Sequence, residues 1–288
     1  MLFRSPAWLQ DRLKAIGLRP ISALVDVTNF FTYDSNRPLH VFDADKVAGG
    51  ALRVHRAKGG EVFSALDDKD YTLAEGMTVI SDTDGIESLG GIMGGIHSGC
   101  TDETVNVFLE GAYFDPVRTA YTGRALKINS DARYRFERGI DASWTPVGIE
   151  AASQMILDLC GGTASEVVIA GAQPDHARAY QLDTDRIQSL VGMELPEAEQ
   201  RVTLTALGFD LQGDMAHVPG WRPDIMGEAD LVEEVARVAS LTKLQGKPLP
   251  RLQSGVPKAI LSPIQRREQI ARRTTASLGY NECVSYSF

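Results

Sequence analysis

Three short β-branched runs, LRVH (52–55), MTVI (77–80) and VNVFL (105–109), stand between clusters of Gly and Asp. With LVDV (24–27) ahead of them, they read as the strands of a sheet built from hairpins between Leu24 and Leu109. Working outward, both flanks turn helical. Ser5 before Pro6 supplies a capping oxygen and then a residue with no N–H to waste, so a helix is predicted from there to Gly17. Beyond the strands, Thr145-Pro146 opens a segment in which Val147, Ala151, Met155 and Leu159 recur at nearly helical spacing, and Gly161-Gly162 ends it. VVIAGA (167–172) reads as one more strand, closing the first unit.

A polar, proline-containing stretch at 173–178 is a plausible linker. After it, YQLDTD (180–185) leads into a helix at Arg186 to Val191, and Pro196 opens another that ends at Gly208. FDLQGDMAHV (209–218) reads as a hairpin whose Gly213-Asp214 tip can take positive φ. The next helix carries Leu231, Val235 and Val238 on one face. KPLPRLQSGVPKAIL (247–261) is proline-rich and therefore extended, Ser262-Pro263 caps a helix, and NECVSYSF (281–288) resembles a strand with no partner. That last feature suggests a chain cut from something longer. The class expected for both units is α+β, with mixed sheets and flanking helices.

A length of 288 residues fits two compact units and a remainder. The hydrophobic fraction of 43% and charged fraction of 23% are ordinary globular values. No apolar run approaches the roughly 18 residues of a membrane span, so no membrane partner is expected. Cys100, Cys160 and Cys283 are odd in number and far apart, which fits a reducing cytoplasm. A net charge of −9 (29 basic against 38 acidic residues) argues against a broad phosphate-gripping face. Two local basic clusters, Arg133, Arg135, Arg138 and Arg266, Arg267, Arg272, Arg273, read most simply as solvated faces.

Six stretches stand in one order: DVTNF (26–30), RPLHVFD (37–43), LGGIMGGIHSG (89–99) continuing to FLEGAYF (108–114), SDARYRFERGID (130–141), WRPDI (221–225) and DLVEEVAR (230–237). Together they resemble the beta subunit of bacterial phenylalanyl-tRNA synthetase over nearly the whole chain. The resemblance implies an editing domain at 1–172, a small α+β domain at 173–247, and at 248–288 a linker with the start of a synthetase-like core. Departures are modest: Val41 where the family often has alanine, Gly111 and Tyr113 where it favours serine and phenylalanine, and VASLTKLQG in place of an aromatic turn.

The activity the resemblance implies is hydrolysis of mischarged tyrosyl-tRNA(Phe). An apolar pocket for phenylalanine rejects an added hydroxyl by only about a hundredfold, so a second site must recognise the phenol and cleave the ester. Glu110 matches the family's phenol-binding carboxylate, against the plainer reading of an exposed glutamate at a strand end. His40 matches its editing histidine, suited to positioning water or ester, against a turn or core histidine. Thr28 and Asn29 match the polar pair that orients water, against a helix cap or turn. Gly90-Gly91 and Gly94-Gly95 lack the Lys-Ser/Thr of a phosphate loop; the family glycine at Gly94 lines the tyrosine pocket and the residue at Ala132 borders it. Gly serving a hairpin and Ala serving packing are the simpler alternatives.

Asp230, Glu233 and Glu234 fall at i, i+3 and i+4 on one helical face, with Asp224 just before. The resemblance assigns these four to Mg²⁺ at the interface with the alpha subunit. Helix-dipole carboxylates or a Glu233 to Arg237 pair are the alternatives. ATP serves only the full enzyme, an alpha2beta2 heterotetramer in the family, whose partners are the alpha subunit and tRNA(Phe). A scaffold that contacts both without chemistry is the competing function, and a metal-dependent hydrolase on the Asp224 cluster a third.

Overall fold

The computed structural model describes residues 4–175, 177–244, 246–250 and 260–286. They divide into a unit at residues 1–244 and a smaller one at 245–288. The first helix, α1 (Ala7–Ala15), starts behind Pro6 as expected, but Ser5 does not cap it. Its hydroxyl donates instead to the buried Asp26 carboxylate, which also accepts from the Ile21 N–H at 2.8 Å.

LVDV is not a strand. It lies in α2 (Ala23–Asp34), because Ser22 accepts from the Val25 N–H and Leu24, Val27 and Phe31 then face one core at helical spacing. Capping and period override β-branched preference here. The other three runs are strands: β1 (His40–Asp43) is followed by β2 (Arg53–Arg56), β3 (Val62–Ser64), β4 (Asp70–Thr72), β5 (Thr78–Ser81), β6 (Ile86–Leu89), β7 (Met93–Gly94) and β8 (Val107–Glu110). β1 pairs with β8, β3 with β4, and β2-β5-β6-β7 form a four-stranded sheet. The α+β class holds, but the expected mixed sheets do not: every pairing between these strands is antiparallel.

α3 (Pro116–Leu126), α4 (Asp131–Phe136) and α5 (Thr145–Cys160) complete this part. α2 and α5 pack with α1 around Leu9, Leu13, Leu24, Val27, Val41, Ala152 and Ile156; each large aliphatic buried there contributes about 1.5–3 kcal/mol. Arg37 stitches the same region together. It is 1% exposed, and its guanidinium donates to the Ala112 carbonyl, the Asp141 carbonyl and the Thr145 hydroxyl. Arg133 is likewise buried, bonded to Ile128, Asn129 and Glu137, while Arg135 and Arg138 lie over the rings of Tyr33 and Tyr134. Arg133 and the largely covered Arg135 are therefore packing devices, while Arg138 stays on a solvated face.

VVIAGA is irregular, with Val168 and Ile169 exposed. No described strand offers its backbone a partner, and unpaired N–H and C=O groups stay with water. A separate core follows. β9 (Ala179–Gln181), β10 (Asp210–Gln212) and β11 (Met215–His217) form an antiparallel sheet against α6 (Arg186–Val191), α7 (Glu197–Ala206) and α8 (Glu228–Ala239). Gly213 has φ +61 at the expected hairpin tip. On α8, Leu231 and Val235 are buried as expected; Val238 is half exposed, and Val232 takes its place in the core.

The smaller unit carries α9 (Pro263–Ser277), opened by the expected Ser262 cap as a reciprocal capping box with Gln265. Most of the proline-rich run before it lies outside the described residues. Residues 281–286 form no strand.

Candidate functional site

β1 and β8 set the site by register. His40 stands directly opposite Glu110, and Phe42 opposite Phe108. Alternation sends Leu39, Val41, Val107 and Leu109 into the α2–α5 core. The opposite face carries His40, Phe42, Phe108 and Glu110. The His40 ring meets Phe42 edge-on at 4.5 Å, and Phe42 is fully buried in a cluster with Phe114, Phe136 and, at its border, Ala132.

Gly94 closes one side of the imidazole. A Cβ there would sit 2.3 Å from His40 Cε1 and 2.5 Å from Nε2. The glycine serves close approach, not a left-handed turn; Gly91, at φ +72, serves the turn before β7. Gly111, a departure from the family pattern, is also explained: a Cβ would strike Ile149 at 2.6 Å.

The two polar groups of the pair differ in how they are satisfied. His40 Nε2 is sealed from solvent with no hydrogen-bond partner. The Glu110 carboxyl, half buried, accepts no hydrogen bond among the described residues. Burial alone moves each of them, in opposite directions: His40 down to about 4 and Glu110 up to about 7. At neutral pH the site therefore holds a neutral imidazole beside a carboxyl poised near its midpoint. Buried polar groups left without partners are rare in folded proteins, and His40 Nε2 is one such group in this structure.

Thr28 and Asn29 lie on α2, which packs against β1. The Thr28 hydroxyl donates to the Val25 carbonyl of its own helix at 2.9 Å. Among the described residues no hydrogen bond joins either of them to His40 or Glu110. The α2 core packs on the Val41 face of β1, and the expected part of Thr28 and Asn29 in the site is not made by direct bonding. Sequence reasoning missed Arg37, Phe42 and Leu66. RPLHVFD carried the first two without marking their roles, and Leu66 lies 3.1 Å from the position of a Gly94 Cβ.

Two of the four carboxylates Asp224, Asp230, Glu233 and Glu234 are held by arginines. Arg222 bonds Asp224 at 2.6 Å and Glu234 at 2.9 Å, and Arg237 bonds Glu234 at 2.6 Å rather than Glu233. Both carboxylates are held below their usual range by these guanidinium hydrogen bonds. Asp230 accepts from the Met226 N–H at 2.7 Å. The set does not converge on one point, and with two members neutralised it does not fit a Mg²⁺ ion as placed.

Residues 3–161, more than half of the chain, match the family model of the B3/4 domain. Residues 180–240 match that of the tRNA synthetase B5 domain. The chain belongs to the B3/4 domain family. Within it, the chain resembles phenylalanine-tRNA ligase beta subunits: that of Ruegeria pomeroyi is 72% identical over 99% of this chain and 36% of its own length. The Cereibacter sphaeroides subunit is 68% identical over 99% and 35%, and that of Paramagnetospirillum magneticum 52% over 99% and 36%. The chain thus spans about a third of the length of these curated relatives. A solved N-terminal fragment of the phenylalanyl-tRNA synthetase beta subunit from Pyrococcus horikoshii aligns with 81% of this chain and 67% of its own, at 16% identity and a TM-score of 0.36.

Proposed function

We propose that the His40 and Glu110 face hydrolyses the ester of tyrosyl-tRNA(Phe) and spares phenylalanyl-tRNA(Phe), as the editing part of a phenylalanine-tRNA ligase that works with an alpha subunit. The observation that carries this reading is the register that sets Glu110 directly opposite His40, whose buried Nε2 has no partner and whose ring lies against Gly94. A phenol O–H donates to the Glu110 carboxylate. Phenylalanine cannot, and a site built to bond a hydroxyl discriminates strongly against the analogue lacking it.

His40 is a weak base with a pKa held at about 4. It therefore acts by position: its neutral Nε2 holds the attacking water or the ester, and water rather than a side chain forms the new bond to the carbonyl carbon. The tRNA 3′ oxygen leaves with a proton, and tyrosine departs as the free acid. Thr28 and Asn29 orient water from α2. The step uses neither ATP nor the Asp224 group, in which Asp224 and Glu234 are occupied by Arg222 and Arg237.

Deacylation of the two aminoacyl-tRNAs by the chain tests this, beside Glu110→Ala and Ala132→Trp. Selective loss of tyrosine that disappears in both variants is expected, since Ala132 borders the aromatic cluster under the site and an indole would fill it. Wild-type rates equal to buffer, in this chain and in the two-subunit enzyme alike, would refute it.

A further inference from the structure

The net charge of the chain hides one face of the opposite sign. Arg56 and Lys58 stand at the end of β2, and Arg118, Arg124 and Lys127 lie along the outer flank of α3 and its cap. All five are exposed, and none forms an ion pair among the described residues. The fold joins these two elements although they are far apart in the chain. The Arg118 guanidinium donates to the Gly76 carbonyl at 3.3 Å, and the Gly76 N–H donates to the carbonyl of Ala57, which lies between Arg56 and Lys58.

Three carboxylates, Glu61, Glu75 and Asp115, stand at the rim. Two of them are turned to backbone: Glu61 accepts from the Lys58 and Gly59 N–H groups at 2.8 and 2.7 Å, and Asp115 caps α3 by accepting from the Arg118 N–H at 2.7 Å. The face therefore stays positive in a chain of net charge −9. Tyr121 is 71% exposed on α3, three residues from both Arg118 and Arg124. Guanidinium groups match phosphate oxygens in pairs, and an exposed ring offers a flat surface to a base. Interfaces between proteins keep charge out of their centre; here the cations occupy it, as a polyanion requires.

We propose that this β2–α3 face binds the phosphate backbone of RNA; resting on the function proposed above, that RNA is the tRNA whose ester reaches His40 and Glu110. From Arg118 to Lys127 the flank runs roughly 13 Å, the axial rise of about four phosphates on one strand. α3 then leads through Ser130, whose hydroxyl donates to the Ile92 carbonyl at 2.6 Å, into α4 and Ala132 at the border of the aromatic cluster.

The test is binding of uncharged tRNA(Phe) to the chain by fluorescence anisotropy from about 0.05 to 0.3 M salt, beside the double variant Lys58→Gln/Arg124→Gln and the control Lys243→Gln. Neither the Lys58 nor the Arg124 side chain makes a hydrogen bond among the described residues, so their loss leaves the fold intact. Saturable binding that weakens with salt is expected. The double variant should bind about tenfold or more weakly, with the slope of log affinity against log salt reduced by about one to two, and the control should match wild type. Uncharged tRNA reports binding alone, so this pattern without any deacylation would uphold the face and remove the editing reading. No saturable binding by wild type, or a double variant with wild-type affinity and slope, overturns the face even where deacylation is intact, and leaves it to an acidic protein or to solvent.

Discussion

At the scale of single residues, burial pushes Glu110 and His40 opposite ways, and stability carries the imprint. Glu110 titrates at about 7 folded against an ordinary 4.5, so the folded chain holds the extra proton over that window and stability falls as pH rises through it. His40 titrates at about 4 against 6.5, so the unfolded chain protonates first and stability is lost as pH falls through that window. Above pH 7 the Glu110 penalty is complete, on the order of 3 kcal/mol. In paired thermal scans Glu110→Gln should melt above wild type at pH 8 and keep only a fraction of that advantage at pH 5; an equal offset at both would contradict the buried-acid assignment. Gly94→Ala addresses the imidazole. Its methyl collides with the His40 ring while its backbone angle suits alanine, so a folded protein with a shifted His40 imidazole resonance and deacylation reduced at least about tenfold is expected, overpacking itself costing about 1–3 kcal/mol. An unmoved resonance would show that the ring is not held there.

At the scale of elements, what could be read from sequence was whatever repeats locally. The helix at Arg186–Val191, the Gly213 tip and the Ser262 cap each announce themselves within a few residues, and each stands where expected. LVDV did not, because its β-branched letters match a strand while the decisive Ser22 cap and the core face shared with Phe31 lie outside the four residues. Register is also silent in sequence: His40 and Glu110 could each be named, but only the β1–β8 ladder makes them opposite. Arg37 shows the same limit, since one arginine in RPLHVFD gives no sign of its partners 75 to 108 residues away. Arg37→Met should cost about 3 kcal/mol or more by leaving buried carbonyls unpaired, read as a lower denaturant midpoint. A loss under about 0.5 kcal/mol, the range of ordinary surface changes, would mean that the stitch is dispensable.

At the scale of the whole molecule, a chain of net charge −9 offers tRNA no general electrostatic hold; on the proposed reading, selectivity comes from the few groups that the β1–β8 pair presents. The small domain has its own core and places the Asp224 and Glu234 carboxylates on Arg222 and Arg237, an arrangement that serves packing of α8 within this chain. No helix among the described residues is long and apolar enough to cross a membrane. The central claim is that Glu110 tells tyrosine from phenylalanine, and the most direct measurement is the ratio of initial deacylation rates for tyrosyl-tRNA(Phe) and phenylalanyl-tRNA(Phe), in wild type and Glu110→Gln, across pH 6 to 8. The account predicts a wild-type ratio well above one that climbs as Glu110 ionises through pH 7, and a lower, pH-independent ratio in the variant. Equal ratios in the two proteins at every pH would contradict it.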